Sequence, residues 1–113
     1  MLSFIEAIAK AEGFGVPNAR PTRNNNPGDI EYGQFAIAHG ATGRDLRFAV
    51  FPSPTAGFSA MRVLLSRAYV GLTLTQALDK YAPPVENETN AYIANVCKWT
   101  GLTPDTVLTE ELI

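Results

Sequence analysis

Glu12 is the residue in this sequence best placed for acid–base chemistry. Ile5, Ile8 and Glu12 follow i, i+3, i+7 spacing, so on a helix the carboxylate shares a stripe with two isoleucines. A carboxyl on an apolar surface is costly to ionise and holds its proton toward neutral pH. Such a group can protonate a leaving oxygen and, as its conjugate base, take a proton back. A glutamate at a helix end also has plainer uses: it can cap backbone groups or extend its carboxylate into water.

Glycosidic hydrolysis of the inverting or covalent-retaining kind needs a second carboxylate. Asp29, Glu31 and Asp45 are the candidates. Asp29 follows "NNNPG", where an aspartate equally serves as an Asx-turn residue bonding nearby N–H groups. Glu31 and Asp45 read as solvated charges. A glycan site also needs aromatic faces and planar hydrogen-bonding side chains. Asn26, Tyr32, Gln34, Tyr81, Asn87 and Tyr92 supply both, as candidate substrate-binding residues. Each has an alternative: turn formation for the run Asn24–Asn26, helix capping for Asn87, core packing for Tyr81 and Tyr92. If Tyr92 is core, its hydroxyl needs a partner, and Glu12 is a natural one. Arg44 and Arg47 could meet an anionic peptide or simply stand in water.

Other chemistries find less material. Cys97 is the only cysteine and His39 the only histidine, so no internal disulfide can form and a zinc site lacks ligands. A Cys–His nucleophilic pair is formally available, although a lone cysteine on an apolar helix is more often a small hydrophobe. No cofactor is implied.

The elements that must position these groups can be read from caps and breakers. Ser3 and Glu6 form a capping box for a helix over about Phe4 to Glu12, closed by Gly13. Residues 13–29 are rich in Gly, Pro, Asn and Arg, which predicts a loop. "FAIA" and "RFAVF", separated by "HGATGRDL", predict a small hairpin or three-stranded sheet between Ile30 and Phe51. Ser53 caps a helix with Pro54 at its first position, running to about Val70 and ended by Gly71. Phe58, Met61, Leu65 and Ala68 give it a core face. Thr73 and Gln76 box a short helix to Tyr81, stopped by Pro83 and Pro84. Asn87 caps a helix from about Glu88 to Thr100, closed by Gly101, and Thr103-Pro104 opens a last helical piece. The prediction is a mainly α (α+β) fold with one small β insertion, in a single domain over 1–113.

The 113 residues are 46% hydrophobic and 18% charged, a globular composition that allows a real core. The net charge is −2 and no basic stripe exists, which argues against a duplex nucleic-acid partner. No basic-then-apolar leader and no apolar run of membrane-spanning length is found.

Four stretches in order, "AEGF", "NNPGDIEYGQFA", "RFAVFPSPTAGFSAMRVLL" and "KYAPPVENETNAYIANV", resemble the lysozyme-like superfamily, in particular small phage and bacterial lytic-transglycosylase-type (endolysin-like) domains. In these a Glu ending the first helix and followed by Ser or Gly is the catalytic acid/base, and Glu12-Gly13 matches. "PPVENETNAYIANV" is similar to the "Pro … Glu-Thr … Tyr-Val" motif, with Tyr92 at the position near the catalytic Glu. The family's Gly-Leu-Met-Gln segment is absent, and "NNPGDI" occupies its place. The resemblance implies a monomeric enzyme that cleaves the β-1,4 bond between N-acetylmuramic acid and N-acetylglucosamine in peptidoglycan, or a related N-acetylglucosamine polymer. It implies synthesis in the cytoplasm and delivery to the wall by phage lysis, virion entry or a secretion system. The alternative is a non-catalytic glycan-binding or phage-particle module of the same fold.

Overall fold

A computed structural model of the chain describes residues 1–84 and 88–113. In chain order the elements are α1 (Phe4–Glu12), α2 (Arg20–Arg23), α3 (Gln34–Ala38), β1 (Gly43–Asp45), β2 (Phe48–Val50), α4 (Pro54–Tyr69), α5 (Leu74–Tyr81) and α6 (Thr89–Thr100). The chain is mainly helical with one small antiparallel sheet, the α+β class that the sequence implies. It divides into two compact units, one of Ile8–Leu64 and one of Met1–Ala7 with Leu65–Ile113. No helix among the described residues is long and apolar enough to cross a membrane.

The unit of Met1–Ala7 with Leu65–Ile113 is built on caps. The Ser3–Glu6 box forms in both directions: the Ser3 N–H donates to Glu6 Oε1 at 2.9 Å and the Glu6 N–H to Ser3 Oγ at 3.2 Å. The N–H groups of Phe4 and Ile5, which no helical turn can satisfy, donate to the carbonyls of Leu112 and Ile113. The Thr73–Gln76 box opens α5 as expected. Gly101 closes α6 at φ +77. The helix expected at Thr103-Pro104 is a turn instead. The first N–H groups of α5 explain it: those of Leu74 and Thr75 donate to the carbonyls of Thr106 and Pro104, which a helix would have kept for itself. Asn87 lies outside the described residues. Glu88 precedes α6 and supplies no side-chain cap. Phe4, Leu65, Leu74, Leu78, Val96, Leu108 and Ile113 fill the core of this unit.

The unit Ile8–Leu64 carries the sheet. β1 and β2 pair antiparallel with Arg44 opposite Ala49, and Glu31 adds an isolated bridge to Phe48. Two expectations fail here. "FAIA" is not a strand but most of α3, closed by Gly40 at φ +104. The Ala41 N–H donates to the Ala36 carbonyl and the Gly40 N–H to that of Ile37, a Schellman end. Five residues are too few for periodicity to separate helix from strand. The loop expected at 13–29 contains α2, which has a proline in its opening positions, a favoured place for one.

α4 opens as the sequence implies, with the Ala56 N–H donating to Ser53 Oγ at 3.2 Å. Its buried Gly57 lies directly against the loop before the sheet. A Cβ there would meet the Asn25 carbonyl oxygen at 2.0 Å and Pro27 Cδ at 2.8 Å. One contact is a backbone oxygen and the other a rigid proline ring atom, so no flexible atom can give way. Gly57→Ala is therefore expected to destabilise the protein by about 3 kcal/mol, the upper end for overpacking, read as a lowered denaturant midpoint at unchanged m-value. Gly101→Ala, at a left-handed position (φ +77) but without a backbone clash, serves as the comparison.

Candidate active site

Glu12 ends α1 with a half-buried side chain, in line with the fully buried Ile8. The helix stops there because Gly13 turns left-handed at φ +94. The Phe14 N–H then reaches back to the Ala9 carbonyl and that of Gly13 to Lys10, the two bonds of a Schellman end. The turn beyond is held by Thr22 of α2. The Gly15 N–H donates to Thr22 Oγ1 at 2.9 Å, and that hydroxyl faces the Gly13 carbonyl at 3.5 Å. An anion at a helix C-terminus meets the unfavourable end of the helix dipole, so local helix energetics give no reason for a glutamate here.

Arg20, also on α2, grips one acid of this unit and feels the charge of two more. Its Nε and Nη2 grip the two oxygens of Asp29 at 3.0 and 2.5 Å, and its guanidinium carbon lies 3.8 Å from the centre of the Phe48 ring. The hydrogen bonds to Asp29 hold the guanidinium firmly charged against partial desolvation, and the negative charges of Asp29, Glu12 and Asp45 act in the same direction. Asp29, only 10% exposed at its side chain, has φ +52, a conformation that Asp tolerates. Both its oxygens are engaged by one arginine, so it is not presented as an open base or nucleophile. Asp45 is gripped through Oδ2 by Arg23 at 2.8 and 3.0 Å. Arg23 first, then the neighbouring amide of Asn24, holds Asp45 below the ordinary carboxylate range. The Asn24 amide nitrogen makes no hydrogen bond of good geometry, so its effect is that of a nearby dipole. Glu31 meets Arg47 at 3.4 Å on the surface.

The asparagine run has structural work. The Asn24 carbonyl accepts from the Phe51 N–H, and the Asn25 amide donates to the Phe51 carbonyl at 3.1 Å. Asn26 is fully buried. Its Nδ2 donates to the carbonyls of Ile30 and Ala49, and its Oδ1 accepts from the Ile30 N–H, each at 2.9 Å. The amide offered to a glycan by the sequence reading is thus turned into the protein. Tyr32 is 38% exposed and Gln34, at the start of α3, is exposed. Tyr81 and the half-buried Tyr92 belong to the other unit, where Tyr81 meets Tyr69 edge-on at 6.0 Å. His39 packs on Phe35 at 4.4 Å. Burial pushes the Cys97 thiol up, away from the thiolate that nucleophilic chemistry uses. Among the described residues no three of His, Cys, Asp and Glu gather as metal ligands.

The sequence reading missed Arg20, Thr22 and Arg23. Their signal was "ARPTR", a proline at a helix start with arginines one turn apart. No protein-family model matches the chain, and no curated protein matches it significantly.

Two measurements probe this framework. Asn26→Ala strips the buried Ile30 N–H of its acceptor and is expected to cost roughly 2–3 kcal/mol in denaturant unfolding. Asp45 is held low in the folded state. Its contribution is therefore present above the ordinary aspartate value of about 3.9 and is lost as pH falls through the lower folded value. Thermal midpoints of Asp45→Asn should thus show a shallower acid decline than wild type, with the gap between the two proteins narrowing as pH falls.

Proposed function

We propose that this protein cleaves peptidoglycan glycan strands at the β-1,4 bond from N-acetylmuramic acid to N-acetylglucosamine, with Glu12 as general acid and then general base. The observation that carries the reading is the placement of Glu12, half-buried and in line with the fully buried Ile8 where α1 breaks at Gly13. At that position Glu12 faces the unfavourable end of the helix dipole. Asp29, Asp45 and Glu31 are each ion-paired with an arginine.

The pairing of Asp29, Asp45 and Glu31 favours chemistry needing one carboxyl. Glu12 protonates the glycosidic oxygen as the bond breaks. The substrate's own N-acetyl group stabilises the positive charge on the sugar. The Glu12 carboxylate then removes the proton from the muramyl 6-hydroxyl, which closes a 1,6-anhydro ring. This is the lytic transglycosylase route; a hydrolase would call on a second acid such as Asp29, whose oxygens Arg20 holds. Tyr32 and Gln34 are the exposed groups of this unit suited to a sugar face and its hydroxyls.

One observation favours the second reading, a non-catalytic glycan-binding or particle module. The charge of Glu12 acts on Arg20, so Glu12 can serve as one more member of a structural charge cluster.

Clearing of purified cell walls separates the two. Wild type should reduce turbidity, and Glu12→Gln should lower the rate by about 10²–10⁴-fold while keeping its fold by circular dichroism. Released fragments should be lighter by one water than hydrolysed ones in mass spectrometry. Clearing that persists in Glu12→Gln rules out this mechanism. A folded wild type that clears no wall chemotype leaves the binding module.

A further inference from the structure

The turn between β1 and β2 holds a residue that the fold does not account for. Leu46 is 82% exposed and has φ +54. A left-handed backbone strains a leucine where glycine or asparagine sits at ease. A leucine alone on a surface is unremarkable; one that also occupies a strained turn position serves neither packing nor backbone, and such an outlier is a ground for inferring function.

Its neighbours define a surface. The Tyr32 N–H donates to the Arg47 carbonyl at 2.8 Å, which places Tyr32 beside this turn. The Arg44 guanidinium lies 5.9 Å from the centre of the half-exposed Tyr32 ring. Among the described residues Arg44 has no acidic partner. Arg47 pairs with Glu31 only at 3.4 Å, with both side chains about two-thirds exposed, a pairing that competes weakly with another carboxylate. On a chain of net charge −2, the tip thus presents two exchangeable cations, an aromatic face and an aliphatic wedge.

We propose that Tyr32, Arg44, Leu46 and Arg47 dock the acidic peptide branch of a peptidoglycan strand. The proposal rests on the glycan-strand reading above for its ligand, not on the chemistry at Glu12. Guanidinium groups match peptide carboxylates in geometry and charge. The small alkyl side chains of such a branch suit Leu46 and the Tyr32 ring. An anionic bilayer fits less well: two arginines and one leucine fall short of the polybasic run or broad apolar face that holds a protein at a membrane.

The test is co-sedimentation of the Glu12→Gln protein with intact sacculi and with sacculi stripped of peptides by an amidase. Binding to intact walls should be at least about tenfold tighter, or 1.4 kcal/mol. Adding Arg44→Ala or Leu46→Gly should reduce intact-wall binding to the stripped-wall value. Leu46→Gly removes the left-handed strain, so its thermal midpoint should not fall, and lost binding cannot then be ascribed to unfolding. Equal binding to both walls, or tip variants that keep the preference, overturns the proposal. So does tip-dependent binding to phosphatidylserine vesicles without peptide dependence. Peptide-dependent binding by a protein whose wild type never clears walls would sustain this inference while removing the catalytic one.

Discussion

Three backbone groups meet at the buried amide of Asn26: the N–H and C=O of Ile30 and the C=O of Ala49. Within the unit Ile8–Leu64 much depends on that junction. It ties the segment after "NNNPGD" to β2, and Asn24 and Asn25 tie the segment before it to Phe51. Gly57 lets α4 approach the Asn25 carbonyl. With the loop fixed from both sides, Asp29 falls where Arg20 can grip it and Arg20 falls over Phe48. An asparagine is suited to this junction because its amide donates twice and accepts at one atom. An aspartate would present acceptors where two carbonyls need donors.

The parts legible in the sequence are those whose physics is local. Ser3–Glu6, Ser53, Thr73–Gln76, Gly13 and Gly101 all act within a turn of their own helix, and each ends or begins a helix where its chemistry implies. The illegible parts answer to distant partners. Residues 103–106 turn rather than coil because α5, some thirty positions earlier, lacks acceptors for its first N–H groups. "FAIA" has β-prone composition, yet Gly40 supplies a helix end and Ala36 a buried contact. "HG" reads as a turn between strands or as a helix stop, and nothing nearby in the sequence decides.

The site divides the same way. Glu12 was legible because helical spacing alone puts it in line with Ile5 and Ile8. The pairing of Asp29 with Arg20 spans nine residues, and that of Asp45 with Arg23 spans twenty-two. No local rule connects them, so the arginines that decide how available those acids are went unread. The asparagines illustrate the converse. Their palette suits sugars as well as it suits tight backbone junctions, and only burial separates the two uses: Asn26 is fully enclosed, whereas Tyr32 is not.

The pattern of pairing constrains mechanism more than the presence of carboxylates does. Four acids in one small unit would satisfy any two-carboxylate scheme on composition alone. An aspartate gripped at both oxygens must break charge-assisted hydrogen bonds before it can activate water or attack a sugar, and the arginine left behind would be partly desolvated and unpaired. A one-carboxyl route of the kind proposed would avoid that cost, because a muramyl substrate would itself bring the N-acetyl group and the 6-hydroxyl. The fold itself decides nothing here, since a helical domain of this kind can host a binder as readily as an enzyme. Catalysis as proposed therefore turns on the placement of Glu12, an acid set against the helix dipole and in line with the isoleucine stripe.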